Sequence, residues 1–303
     1  MHDRNIFKLR PPNYEDLAKK YHDFRAKCFI GAGGKVCMNF SDAEAVRLLT
    51  RILLLEYFQL DVQLPEGYLV PRVPQRLNYL LLLEDLICKN GFEASSIWGI
   101  DIGTGASCIF PLLGARLNNW NFVATEVDVN SISYAAQNID HNNLRERIRV
   151  VHSTDNSILK EVLSKETCEE RFFMFSMCNP PFFDPDEASQ KFTSMPVGKT
   201  MRNLLGNESV NKGPPRSATT ATPTELTYAG GENSFIQQML EESTVCRKNV
   251  CFFTTMIGKV ASLKLLKVKL NERKVRWSLH SLCQGRTTRW VLVWTFYDDI
   301  IIE

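Results

Sequence analysis

Seven short runs rich in aromatic and β-branched residues recur from Ser96 onward: SIWGIDIG, NFVATEVD, IRVVHS, FFMFSMC, NVCFFTTMIG, VRWSLHSL and RWVLVWTFYD. Segments with helical spacing of apolar residues separate most of them, at 107–117, 129–141, 157–165, 233–246 and 260–271. Strands alternating with helices build a parallel sheet covered on both faces, because each parallel crossover needs a connection long enough to hold a helix. Only CQGRTT joins the last two runs, too little for such a crossover, so these two pair antiparallel. The pattern predicts an α/β fold with a seven-stranded, mostly parallel sheet and an antiparallel last strand.

The fourth run ends in MCNPPFFD, residues 177–184. A strand interior cannot use proline, which removes a ladder donor, so the strand stops here. Pro180 and Pro181 fix two φ angles and restrict Asn179 to extended backbone. The result is a stiff platform carrying one amide, Asn179, and two rings, Phe182 and Phe183. Directly after it, residues 184–231 are rich in Ser, Thr, Pro, Gly and Asn. So long a stretch without regular structure reads as a flexible lid over the platform.

Upstream, GIDIGTGASC (99–108) runs from a strand into a glycine turn and a helix. Gly103 and Gly105 allow close approach of backbone to a ligand, but Cys108 stands where a dinucleotide fingerprint has its third glycine. Asp101 would repel a pyrophosphate at that turn and would favour a ligand with a cationic end. Glu126 closes the next strand about 20 residues later, the separation at which a carboxylate grips ribose hydroxyls. A ribose, a positive charge and no phosphate describe S-adenosylmethionine. VGKT at 197–200 imitates a phosphate loop, but Thr193 occupies the position that needs glycine.

In such a sheet the fourth strand ends beside the first, where ligands bind, so Asn179 faces the cofactor. An amide oxygen from Asn179 and the Pro180 carbonyl can accept both hydrogens of an exocyclic amine, orienting a poor nucleophile. Phe182 or Phe183 can stack on the base, which must leave its helix to reach them.

Net charge is +2, yet basic residues concentrate at the two ends, with Lys8 and Arg10 in one group and Lys264, Lys267 and Arg286 in the other. Such clusters suit a polyanion such as RNA, if the fold joins them into one groove. Nine cysteines, none in a Cys-x-x-Cys pair, imply a reducing compartment and buried thiols. The histidines lack metal-ligand spacing and the apolar stretches are too interrupted for a bilayer, so neither a metal nor a membrane is expected. Residues 1–74 read as a basic N-terminal extension that binds RNA, with a helix capped by Ser41 and a capping-box Glu44; a second helix spans about 75–90.

VPRVPQRLNY, GIDIGTGASCI, ATEVD, MCNPPFF and CQGRTTRWVLVWTFYDD together resemble the eukaryotic U6 small nuclear RNA adenosine-N6 methyltransferases, the methyltransferase-like sixteen family. These are related to bacterial large-subunit ribosomal RNA adenine-N6 enzymes. The resemblance implies a class I, Rossmann-like methyltransferase core at 75–303 with its lid at 184–231. It implies S-adenosylmethionine as cofactor, S-adenosylhomocysteine as product, and Arg76, Gly103, Glu126, Ser157 and Asn179 as cofactor residues, to which the reading of the glycine turn adds Asp101 and Gly105. Asn179, Pro180, Pro181 and Phe182 then hold the target adenine, in U6 RNA or a UACAGAGAA-like hairpin of pre-mRNA, with a nuclear or cytoplasmic location and a monomeric state. Lys8, Arg10, Phe183, Lys264, Lys267 and Arg286 are the RNA-contact candidates. Relatives carry lysine and threonine where this chain has Asn156 and Ser157, which removes the basis for the same regulation through that loop. Two other readings stand beside this one: a protein glutamine-N5 methyltransferase, and an RNA-binding module that keeps the fold without catalysis.

Overall fold

The computed structural model describes residues 1–93, 95, 97–154, 157–167, 171–186, 221–284 and 287–303. Asn156, Arg286 and most of the expected lid lie outside the described residues. The chain opens with α1 (Ile6–Leu9), α2 (Tyr14–Lys20) and α3 (His22–Ala26), then a hairpin of β1 (Cys28–Ile30) and β2 (Val36–Met38). Two longer helices follow, α4 (Ala43–Phe58) and α5 (Val73–Lys89). Buried Asn5 ties the N-terminus to α5, its side-chain amide donating to the Pro74 carbonyl at 2.9 Å and to Asn78 Oδ1 at 2.7 Å.

All seven predicted strands form. They are β3 (Trp98–Ile102), β4 (Asn121–Glu126), β5 (Ile148–His152), β6 (Phe173–Cys178), β7 (Val250–Ile257), β8 (Arg276–Gln284) and β9 (Thr287–Thr295). Their order is β5-β4-β3-β6-β7-β9-β8. Strands β3 to β7 pair in parallel, and β9 slots antiparallel between β7 and β8. The chain leaves β3 toward β4 and returns to β6 on its other side, so a crevice opens beyond the carboxyl ends of β3 and β6.

Alternate side chains on the strands face two cores. On one face Phe122, Phe175, Met177 and Val291 pack with α5, with α6 (Ile109–Asn118) and with the N-terminal helices. On the other Ile100, Val123, Phe253 and Trp294 pack with α8 (Lys160–Thr167), α10 (Gly231–Val245) and α11 (Val260–Glu272). The remaining helices are α7 (Val129–His141) and the short α9 (Pro223–Leu226). This two-faced division also distributes the basic residues. Lys8 and Arg10 belong with α1 on the first face, whereas Lys264 and Lys267 ride on α11 across the sheet. Helices on opposite faces therefore carry these two pairs, while Arg289 of the same C-terminal basic cluster lies close enough to Arg72 and Arg76 for its charge to act on both.

Helix starts also differ from the sequence pattern. Asp42, not Ser41, caps α4, because its carboxylate accepts the N–H groups of Glu44 and Ala45 at 3.0 and 3.2 Å. Helix α8 begins at Lys160 instead of 157, because Glu242 of α10 takes the N–H groups of Ile158, Leu159 and Lys160. Among the described cysteines, Cys108, Cys178, Cys246 and Cys251 are buried, and Cys88 and Cys283 are exposed.

Candidate active site

Gly103 and Gly105 both adopt left-handed backbone, with φ of +67° and +66°. A Cβ added at Gly103 would meet nothing within 4 Å, so the turn faces open space at the crevice. Another residue at either glycine would be strained before it touched anything. The Gly105 N–H donates to Glu126 Oε2 at 2.8 Å, and Val127 and Asp128 donate to Glu126 Oε1 at 2.8 and 3.1 Å. The carboxylate at the end of β4 is thus locked against the turn. Oε2 still has an acceptor position for a hydroxyl. Burial raises the Glu126 pKa, and the three N–H bonds oppose that rise.

Two buried ionisable groups in the crevice lack full partners. Arg76, on the first turn of α5, is only 8% exposed, and its Nε has no hydrogen-bond partner. Its guanidinium lies 5.2 Å from the Phe110 ring centroid and donates to Met256 Sδ at 3.4 Å. Burial, with the neighbouring Arg72 charge, lowers its pKa to about 10, so it remains a cation at neutral pH. Asp101, at 1% exposure in β3, has an unpartnered Oδ2. Burial pushes its pKa up to about 7, against a hydrogen bond from Thr104 and the Arg76 charge. No ion pair joins Arg76 to Asp101 among the described residues. A zwitterionic ligand answers both, its carboxylate to Arg76 and its ammonium to Asp101. With Glu126 for ribose hydroxyls and open space over Gly103, the residues fit S-adenosylmethionine.

This geometry gives the cofactor site a pH dependence. Asp101 accepts from an ammonium only when ionised, so affinity for S-adenosylhomocysteine should fall as pH drops through about 7. The apparent dissociation constant scales inversely with the competent fraction, so roughly tenfold weakening is expected from pH 8 to pH 6. Calorimetric titration across that range checks it. Asp101→Asn should bind weakly throughout with a flat profile; an unchanged slope in that variant would assign the titration elsewhere, with Glu126 the next group to test.

Directly across the crevice, β6 ends and the platform begins. Ile102 pairs with Cys178, so Gly103 and Asn179 leave adjacent strands side by side. Asn179 is half-buried, Pro180 is buried, and Pro181 and Phe182 are half-buried. Phe183, by contrast, is 3% exposed and belongs to the core, with the Lys259 ammonium 5.3 Å from its ring centroid. Stacking on a base therefore falls to Phe182 alone. The backbone decides between the two rings: the Leu226 carbonyl accepts both the Phe182 and Phe183 N–H groups, and Phe183 bridges to Thr227.

Leu226 belongs to α9, so the returning end of the expected lid is ordered and clamps the platform. Glu225 in the same helix accepts the Leu69 N–H at 3.0 Å and the Thr222 N–H at 2.8 Å. Its Oε1 lies 3.5 Å from where a Gly105 Cβ would stand. One short helix thus touches both the base platform and the cofactor turn. Its sequence signal was the capping box Thr222–Glu225, hidden inside a stretch that reads as unstructured. Ser157 precedes α8, its hydroxyl accepting the Glu161 N–H at 2.9 Å and donating to Glu242 at 3.3 Å. Lys264 is exposed, and the Lys267 ammonium lies 5.5 Å from the Trp277 ring centroid. Arg289, visible in the sequence only as one more member of the basic C-terminal cluster, lies in β9 beside the end of β7, and its charge is felt at both Arg72 and Arg76.

A family described as RNA methyltransferase matches residues 1–298. The chain belongs to this family. The "U6 small nuclear RNA (adenine-(43)-N(6))-methyltransferase" of Caenorhabditis briggsae is 40% identical over 314 residues, covering 100% of this chain and 63% of the relative. The chain thus spans less than two thirds of that relative's length. The hMettl16 catalytic domain, solved in complex with MAT2A 3'UTR hairpin 1, superposes with a TM-score of 0.86 at 40% identity, covering 100% of this chain and 98% of that one. The N-terminal domain of human METTL16 in complex with SAH gives a TM-score of 0.79 at 38% identity, covering 98% and 99% respectively. As a member of the RNA methyltransferase family, the chain places its fold motifs, its turn and its platform in one crevice.

Proposed function

We propose that this chain transfers a methyl group from S-adenosylmethionine to N6 of an adenosine in structured RNA, of the kind presented by U6 small nuclear RNA. The observation that carries the reading is the adjacency of Gly103 and Asn179 at the ends of paired strands. It sets an amide that can orient an amine beside a turn built for a zwitterionic nucleoside. When bound, the cofactor supplies an electrophilic methyl group on a sulfonium. The protein supplies the geometry. Asn179 Oδ1 and the Pro180 carbonyl accept the two amine hydrogens, which favours the pyramidal nitrogen that attacks. Phe182 stacks against the extruded base, worth roughly 1–3 kcal/mol. The amine loses its proton after attack, so no strong base is needed at this point.

Incubation of the chain with S-adenosylmethionine and a U6-like hairpin, followed by mapping of N6-methyladenosine, tests the reading directly. A single modified adenosine is expected. Methyl groups found on protein glutamine and not on RNA would overturn it. Binding should also be salt-sensitive, each neutralised phosphate contributing about −0.7 to the log–log slope for a single strand. Lys259→Ala and Arg289→Ala, at the carboxyl end of β7, should flatten that slope more than Lys264→Ala, exposed on α11. Equal slopes for all three variants would remove the local assignment.

A further inference from the structure

Behind the platform, two polar side chains and two backbone groups form a directed hydrogen-bond chain with no access to solvent. Tyr79 and Thr254 are both 0% exposed, and their hydroxyl oxygens are 2.6 Å apart. Thr254 has one proton to give, and it donates to the Ser176 carbonyl at 2.8 Å. Tyr79 must therefore donate to Thr254. That leaves the Tyr79 oxygen free to accept, and the Cys178 N–H points to it at 3.4 Å. Burial raises the Tyr79 pKa and keeps the phenol protonated, as the direction of the chain requires. The two backbone groups held in this way flank Met177 and end one residue before Asn179.

Tyr79 shares its helix with Arg76. Residues three apart lie on one face of a helix, and here both meet the same ring: the Arg76 guanidinium and the Tyr79 ring lie 5.2 and 5.5 Å from the Phe110 centroid. Helix α5 therefore presents the cofactor's cationic contact and, one turn later, the anchor of the strand that bears the amide. The two hydroxyls, Tyr79 and Thr254, could be replaced together by well-packed apolar groups at little cost in stability. The Tyr79 bond to the backbone immediately before the reacting amide points to a different use.

We infer that Tyr79 is a positioning residue for Asn179, its hydroxyl fixing the end of β6 so that the amide meets the target amine in register with the Arg76 grip on the cofactor. The inference rests on the adenine-N6 reading for its kinetic consequence, but the anchoring itself is measurable without catalysis. Misplacement of a reacting group by an ångström can cost about 10²-fold, so a loosened strand end is expected to show in turnover before it shows in binding.

The test compares Tyr79→Phe, Thr254→Val and Thr254→Ser in the full chain. Tyr79→Phe keeps the ring and its packing on Phe110. It should lower kcat about tenfold or more while KM for the hairpin and Kd for S-adenosylhomocysteine stay within about twofold. Thr254→Val should reproduce that loss and Thr254→Ser should restore near-parental turnover. The Tyr79→Phe/Thr254→Val pair should be no worse than the more affected single variant, because both break one chain. Amide exchange at Cys178, followed by NMR, should quicken in Tyr79→Phe and not in Thr254→Ser. Parental turnover in Tyr79→Phe, or a loss that follows only its melting temperature, would overturn the inference. Should the parent chain methylate no RNA, the adenine reading fails by itself, and unchanged Cys178 exchange in Tyr79→Phe would still count against the anchor.

Discussion

Asn179→Ala should leave the hairpin bound at near-parental affinity while methyl transfer falls by about 10²–10³-fold, the loss typical of a deleted group that acts on the transition state. The amide contacts the substrate only at the reacting nitrogen. RNA affinity is spread over phosphate contacts and stacking on Phe182. Removing Asn179 therefore takes away an interaction that strengthens as the nitrogen becomes pyramidal, and it lowers kcat rather than raising KM. Single-turnover rates with radiolabelled cofactor, alongside fluorescence anisotropy with the same hairpin, separate the two quantities. Near-normal single-turnover rates in the variant would sink the orienting role of the amide. Fold damage does not account for such a loss, because Asn179 is half-buried and makes no side-chain hydrogen bond to other described residues.

The contrast between Asn179 and its neighbours shows what a sequence can and cannot carry. Strand and helix positions were legible because apolar spacing is a local consequence of which face is buried, and all seven strands formed where that spacing placed them. Gly103, Glu126 and Asn179 were legible because each sits at a strand end whose place in the sheet follows from topology. Phe182 and Phe183 are identical in type and adjacent, and nothing local separates them. A carbonyl on Leu226 and a bridge to Thr227 decide which ring turns inward. Helix α8 starts late for a similar reason, since its cap, Glu242, comes from a helix more than 80 residues away. Tyr79 reads as an ordinary core aromatic until Thr254 and Cys178 are seen beside it. Charge density says nothing about which face of the sheet a helix will cover, so the sequence could not tell that Lys8 and Arg10 go with one face and Lys264 and Lys267 with the other.

Arg76 offers the sharpest test, because stability and function should move in opposite directions. Its guanidinium is buried, stays charged with a pKa of about 10, and has no carboxylate partner to offset its lost hydration. Arg72 and Arg289 add repulsion. Replacing a buried charge by an apolar side chain of similar length often stabilises by about 1–4 kcal/mol. Arg76→Met should therefore raise the melting temperature of the free protein, by roughly 2–4 °C per kcal/mol for a chain of 150–250 residues and somewhat less here. The same substitution removes the cation that α5 offers to a bound cofactor's carboxylate, which would leave that anion poorly paired. Truncating one partner of such a pair costs about 2–5 kcal/mol, so S-adenosylhomocysteine affinity should drop by roughly 10²-fold or more. Differential scanning fluorimetry with and without S-adenosylhomocysteine reads both effects in one experiment. The parent should gain melting temperature from the ligand, and the variant should start higher and gain almost nothing. A variant that melts lower than the parent yet still responds fully to the ligand would show that Arg76 is a structural cation held by the core. The zwitterion-binding account of the crevice would then lose its carboxylate end.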